Sequence, residues 1–284
     1  MKSSALKLKL MSIPAVSYIL IATLYPLYKT VELSFSKIII KGSQIESTYV
    51  GVTNFIRVLQ DEVFHNSLIV TLVFSATSVI LELILGLLLA IIIASIKRNR
   101  VLILLMVISM MLPPVSVALI WRFMLYPNIG LFDNLTRMLL GFSIPWLGDP
   151  FWAKISIIFV DVWHWTGFVF LIVYAGYVSL PVEQFEAAYI DGASDFQTFM
   201  YITLPLLRPT IALAAFFRII DVLQAFPELW QLTFGGPAYA TTILNILVYV
   251  ATFDFHDLGY AAVVSLILIM IALATTIAYY KLRR

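Results

Sequence analysis

The chain has 284 residues, of which 62% are hydrophobic and only 12% charged, with a mean hydropathy of +0.99 and a net charge of +2. Globular chains run at about 45–50% apolar and about 25% charged, so too little polar side chain is present here to coat a water-facing surface. Disordered and collagen-like classes are excluded, and the absence of cysteine removes disulfide-stapled scaffolds, thiolate metal sites and thiol catalysis.

Crossing a hydrocarbon core of roughly 30 Å takes about 20 apolar residues in a helix. In chain order, six stretches meet that length, at about 10–33, 67–96, 101–126, 151–180, 209–230 and 258–282. The expected fold is therefore an all-α polytopic membrane protein with six transmembrane helices. The first stretch follows Lys2, Lys7 and Lys9 as a signal peptide would. Its apolar run is too long and no small-residue cleavage site follows, so it is read as a span.

Connections are short, and the whole chain, 1–284, reads as one transmembrane domain. The outer loop Ser34–Asn66 is the longest. The stretch Gly130–Pro150 carries a helical pattern (Leu131, Leu135, Met138, Leu139) bounded by Gly141 and Pro145. It also contains the sequon Asn134-Leu135-Thr136, a weak signal. A further apolar run, Thr241–Phe253, is too short to cross alone and is read as interfacial or re-entrant.

Charge sets the direction. With six spans and the amino end inside, Lys2, Lys7, Lys9, Lys97, Arg98, Arg100, Arg208, Lys281, Arg283 and Arg284 gather on the cytoplasmic side. Asp61, Glu62, Asp133, Asp149, Asp254 and Asp257 fall on the outer side. Lysine and arginine near span ends favour the cytoplasm, so both termini belong there. Ser43 and Ala238 are then outside, and Ser194 inside.

Chemistry is conspicuous by what is missing. No G-x-x-x-x-G-K-[S/T] loop occurs, so nucleotide cannot be held in that manner. His65, His164 and His256 have no ligand-like spacing, and no metal site is expected. The chain moves or anchors something, and its energy comes from elsewhere.

The informative segment is 181–205, between the fourth and fifth spans. Local rules make it a helix after Leu180-Pro181, a break at Gly192, and a second short helix stopping near Pro205. Glu183 and Glu186 share a face, while Ala187 and Ala188 allow another surface to approach the backbone. Read on chemistry alone, this is an amphipathic helix at headgroup level or a docking element. The spacing Glu186-Ala187-Ala188, then Gly192, then Ile202, then Leu204-Pro205 resembles the EAA loop of binding-protein-dependent ABC importer permeases. Trp146-Leu147, Ile190-Asp191-Gly192-Ala193-Ser194, and Gly235-Gly236-Pro237 with Thr241 fit the same pattern. The chain looks like the sugar-importer branch, similar to its larger maltose permease subunit.

That resemblance implies a type I importer permease fold and a division of labour. A second permease subunit completes the pathway as a heterodimer. Two ATP-binding subunits, or a homodimer of one, sit beneath and hold ATP and Mg, leaving this chain without a cofactor. An extracytoplasmic sugar-binding protein delivers the cargo across the cell membrane, and no nucleic acid is involved. Glu183, Glu186, Ala187, Ala188, Asp191, Gly192, Ile202, Leu204 and Pro205 would dock against the ATPase. The chain lacks the extra amino-terminal spans and large outer domain of some relatives.

Charged side chains at membrane depth are costly and are functional candidates by default. Here they are Glu82, Asp161, Arg218, Asp221 and, at the span's end, Glu228. Arg218, Asp221, Val222 and Ala225 share a helical face by the i, i+3, i+4, i+7 rule. The resemblance makes that face, with His164, Trp165 and Phe168, the sugar contacts. The competing reading is that Arg218 and Asp221 simply neutralise each other, three residues apart. Glu82 either faces a cavity or pairs with a cation of the partner. A polyol or glycerol phosphate is the alternative cargo, and a stand-alone ion-coupled secondary transporter the alternative class.

Overall fold

The computed structural model describes residues 2–41, 44–96 and 100–282. Ser43, Lys97, Arg98, Arg283 and Arg284, on which part of the expected orientation rests, lie outside the described residues. The chain divides into two compact units, residues 1–64 with 247–269 and residues 65–246 with 270–284.

The first unit opens with α1 (Lys2–Ser34) and a two-stranded antiparallel hairpin, β1 (Ser36–Lys41) and β2 (Gln44–Tyr49), with Ser36 opposite Tyr49. The β-branched run Ile38-Ile39-Ile40 suits an extended backbone. Helix α2 (Thr53–Gln60) is tied back by Asn54, whose amide donates to the carbonyls of Ser34 (3.0 Å) and Ser36 (2.9 Å). The described part of the segment 34–66 thus holds two paired strands and α2, which the sequence reading did not anticipate. The amino-terminal part of α13 (Leu258–Leu282) completes the unit: Arg57 pairs with Asp257 at 2.5 Å, and the Tyr260 hydroxyl donates to Asp61 at 2.5 Å.

The second unit contains most of α3 (Glu62–Ala94), α4 (Arg100–Ile108), α5 (Pro114–Met124), α6 (Leu131–Leu140), α7 (Pro150–Val178), α8 (Val182–Ile190), α9 (Asp195–Thr198), α10 (Leu204–Val222) and α11 (Pro227–Thr233). It also takes in the start of α12 (Leu244–Tyr249) and the end of α13. Among the described residues, four helices are long and apolar enough to span a membrane: Glu62–Ala94, Pro150–Val178, Asp195–Val222 and Leu258–Lys281. The α4–α5 pair makes up to a fifth. Helix α7 is the central one, with 56% of its most apolar window buried against 17–33% in the others. Its Val169, Phe170 and Val173 pack with Ala90, Ile93, Leu207 and Ala214 in one core cluster.

Three expected boundaries are corrected. The run 101–126 is not one straight helix, because α4 and α5 meet at a 97° bend. Pro113-Pro114 supplies no N–H to continue the ladder and forces Leu112 into extended geometry at ψ 140°. The run 209–230 breaks at Val222. Phe226, held out of the helical region by Pro227, separates α10 from α11. The side-chain amide of Asn245 donates to the freed carbonyls of Leu223 (2.7 Å) and Ala225 (3.1 Å). The second loop helix does not stop near Pro205. It continues through a π turn at Phe199–Thr203 into α10, giving one helix over Asp195–Val222. The widened turn, closed by the Leu204 N–H on the Phe199 carbonyl, accommodates a ring that lacks a donor.

Two shorter elements lie outside the span-length helices. Thr241–Phe253 contains only the short apolar helix Leu244–Asp254, ending in a π turn. The pattern after Gly130 forms α6, closed by Gly141 at φ +80°. Asp133 is fully buried there. The Ser143 hydroxyl and the Asn128 amide beside it, with Arg137, hold its carboxyl below the usual carboxylate range.

Helices α4 and α7 touch through Gly167, where a Cβ would fall 2.1 Å from the Met106 carbonyl oxygen. Because backbone cannot yield as a side-chain tip does, Gly167→Ala should cost about 1–3 kcal/mol. A lowered thermal midpoint of the detergent-purified protein checks this, with Gly148→Ala, where a Cβ meets nothing closer than 3.9 Å, as the tolerant control.

Candidate functional site

Helices α3, α7 and α10 bring four charged residues together. Arg218 is completely buried. Its Nε donates to Glu82 Oε2 at 2.5 Å, and its Nη2 donates to Glu82 Oε1 at 2.8 Å and Asp161 Oδ2 at 2.9 Å. Its Nη1 donates to Asp221. The guanidinium also lies 5.2 Å from the Trp165 ring centroid, in cation–π range. The pairing of Arg218 with Asp221 considered from sequence is therefore present, as one edge of a larger network. Glu82, whose partner sequence left open, pairs within this chain.

A second cluster lies on the same helix α7. His164 is fully buried, with Nδ1 2.8 Å from Glu228 Oε2 and Nε2 3.2 Å from the Leu112 carbonyl oxygen. A carbonyl only accepts, so Nε2 carries hydrogen and a single proton is shared between Nδ1 and Glu228. The imidazole thus joins α7 to the α4–α5 bend and to α11. Glu228 is buried, and its Oε1 has no hydrogen-bond partner. Sequence reading marked Glu228 as charged at depth but did not place it beside His164. Pro227, which turns α11 back toward the bundle, was the available signal.

The expected sugar-contact residues fall into two layers. Trp165 and Phe168 are half-buried, with rings in a T-shaped arrangement at 6.4 Å, and the Asp221 side chain is 49% exposed. Arg218, His164 and Val222 are buried behind them. Ala225 is half-buried but lies beyond the end of α10, so the four-residue helical face expected at 218, 221, 222 and 225 stops at Val222. Two large apolar grooves, of about 660 Å³ between α3, α4 and α7 and about 680 Å³ between α10 and the end of α13, include none of these residues.

The loop after α7 is a helix–turn–helix. Gly192 sits at φ +73° with open space around it, so backbone strain rather than crowding limits substitution there. Ser194 and Gln197 form a capping box that starts α9. Glu183, Glu186, Ala187 and Asp191 are exposed, Ala188 is buried, and Ile202, Leu204 and Pro205 are half-buried. Tyr189, Ile190, Phe196 and Tyr201 are each more than 70% exposed. The three aromatics escaped the motif-based reading. A cavity of about 340 Å³ opens between Asp191, Gly192, Gln197 and Tyr201. So large an apolar display at one loop marks a surface that meets another protein or the membrane.

Membrane-length helices surround a buried ionic cluster and meet a helix–turn–helix, the architecture of a membrane-embedded protein. The chain belongs to the family described as binding-protein-dependent transport system inner membrane component, which matches residues 82–284. It is 36% identical over 276 residues to the trehalose/maltose transport system permease protein MalF of Thermococcus litoralis, covering 97% of this chain and 92% of that one. It is 31% identical over 281 residues to the lactose transport system permease protein LacF of Rhizobium radiobacter, covering 95% and 92%. A bacterial alginate ABC transporter, crystallised with its alginate pentasaccharide-bound periplasmic protein, has a chain of the same fold. Its TM-score is 0.86 at 21% identity, over 99% of this chain and 95% of that chain.

Removing one member of a buried ion pair typically costs about 3–5 kcal/mol, because the other is left uncompensated. Arg218→Met should therefore sharply lower the thermal midpoint and the yield of monodisperse protein. Adding Glu82→Gln and Asp161→Asn to Arg218→Met should recover most of that loss.

Proposed function

We propose that this chain is a non-catalytic, sugar-translocating permease subunit of an ATP-driven importer. The observation that carries the reading is the anchored loop, Glu186-Ala187-Ala188 to Pro205, in a chain that aligns nearly end to end with permeases named for trehalose, maltose and lactose. Its exposed aromatics suit a cleft in an ATP-binding subunit. ATP and Mg belong to those subunits, and this chain needs no cofactor. A second permease subunit forms a heterodimer with it, and an external binding protein supplies the cargo. The arrangement is six spans with both termini cytoplasmic, α1 and the bent α4–α5 pair being two of them.

The cargo site lies at Trp165, Phe168, Asp221 and Ala225, backed by His164, Arg218 and Val222. Aromatic faces stack on the apolar C–H faces of a sugar, and a carboxylate accepts two of its hydroxyls. In proteoliposomes containing the complete transporter, Trp165→Ala or Asp221→Ala should cut uptake at least tenfold while the subunits still co-purify. Normal uptake by both variants would place the site elsewhere.

Coupling runs through Glu183, Glu186, Ala187, Ala188, Asp191, Gly192, Ile202, Leu204 and Pro205. Gly192→Asp places a charged L-residue at a positive φ, and Ala187→Lys puts bulk on an exposed contact face. Each should release the ATP-binding subunit on purification or abolish stimulation of hydrolysis by loaded binding protein. Glu186→Ala should do less, because the apolar contacts around it remain. Full stimulation in both of the first two variants would rule the loop out as the coupling element.

A further inference from the structure

We infer that the membrane-depth site selects its cargo by charge, with Asp221 as the specificity-determining residue that favours neutral over anionic sugars and Glu82 with Asp161 as positioning residues that withdraw Arg218 from the cargo. The inference rests on the cargo site proposed above.

A guanidinium has five N–H donors. Four are committed: one to Glu82 from Nε, one each to Glu82 and Asp161 from Nη2, and one to Asp221 from Nη1. Arg218, Glu82 and Asp161 are each no more than 2% exposed. The Trp165 ring, 5.2 Å from the guanidinium carbon, covers a further side. One Nη1 N–H remains, so an anion that took a two-pronged hold on Arg218 would have to displace Asp221 from Nη1 or break the bidentate pair with Glu82.

The other candidate cation nearby is equally occupied. His164 shares a proton with Glu228, so that pair carries no net positive charge in either arrangement. What reaches the open side of the cluster is a carboxylate, since the Asp221 side chain alone of the four is substantially exposed, at 49%. The exposed member of the cluster is therefore an acid. A sugar hydroxyl can donate to Asp221, whereas a phosphate or uronate would be repelled by it.

The fold does not decide this by itself. A structural neighbour with a TM-score of 0.83 is a transporter for the acidic polysaccharide alginate. Cargo charge must therefore be set by side chains on a shared frame, and the side chains here are arranged to hide their one arginine.

The test exploits the absence of cysteine. Gln224, exposed, donates its backbone N–H to the Asp221 carbonyl at 2.9 Å, and Ala225 is next in the chain. Gln224→Cys and Ala225→Cys would be made singly in the assembled transporter. Each would be reacted with cationic (ethyltrimethylammonium) and anionic (ethylsulfonate) methanethiosulfonates, normalised to a free thiol in solution. The cationic reagent should react at least tenfold faster at both positions. Asp221→Asn should reduce that ratio at least threefold, and Glu82→Gln should move it further toward the anion by loosening Arg218. Equal rates, faster reaction of the anion, a ratio indifferent to Asp221→Asn, or no reaction at either cysteine would overturn the inference. The site reading fails separately: a strong cation preference together with normal uptake by Trp165→Ala would leave the charge assignment standing at a site that is not the sugar's.

Discussion

A guanidinium keeps its proton in any protein environment, so burying one in a membrane bundle compels the chain to bring counter-charge to it. Arg218 meets that demand with carboxylates from two other helices, Glu82 on α3 and Asp161 on α7, as well as Asp221 on its own. The consequence is a fixed register among α3, α7 and α10. The same register recurs in the packing along α7. A Cβ at Gly86, one turn beyond Glu82, would lie 2.7 Å from the Val169 side chain. One at Gly176 would lie 2.7 Å from the Thr210 side chain. Small residues bring the backbones close in places where lipid offers no hydrophobic drive for helices to associate. The ionic cluster then defines how far each helix slides.

Much of this architecture is legible in the sequence, for physical reasons that differ by element. Apolar length identifies α3, α7 and α13 because the bilayer imposes one length scale on every span. The glycine break at 192 is legible because few other residues tolerate that backbone. Interior bends are less so. An apolar run such as 101–126 hides the α4–α5 turn from any measure of hydropathy, and only Pro113-Pro114 hints at it. The end of α10 at Val222 is hidden in the same way, with Pro227 as the trace. The partners of Arg218 are a different matter. Only Asp221, three residues away, is within reach of local rules. Glu82 and Asp161 are 136 and 57 residues distant in sequence, and nothing local connects them. The paired strands β1 and β2 were missed because each is only six residues long and lies in a segment read simply as a connecting loop.

The corrections change the mechanics as well as the boundaries. A loop helix that stopped near Pro205 would have left a flexible joint between loop and span. Instead Asp195–Val222 is one helix, and at about 1.5 Å per residue Asp195 and Arg218 stand roughly 35 Å apart along a single rod. On the other side of the loop, α7 carries Asp161, His164 and Trp165 and ends at Val178, four residues before α8 begins. Two of the three helices that build the charged cluster, α7 and α10, thus meet the same helix–turn–helix.

Between those two rods the chain turns at Gly192, and within the helix that starts at Asp195 the π turn at Phe199–Thr203 lies between the loop and the cluster. A π turn is a local widening that keeps the helix continuous, so it redirects motion without absorbing it as a loop would. In the proposed importer, displacement of the exposed aromatics at the loop would tilt α10 against α7. The contacts that resist such a tilt are the bridge from Arg218 to Asp161 and the packing of Val169, Phe170 and Val173 against Leu207 and Ala214. Glu82 on α3 holds the same guanidinium through two hydrogen bonds, while Ala90 and Ile93 pack α3 against α7, so α3 is tied to both rods. The arginine that fixes the register at rest therefore also lies where a shear between the two rods would act, and the half-exposed Asp221 and Trp165 sit directly on it.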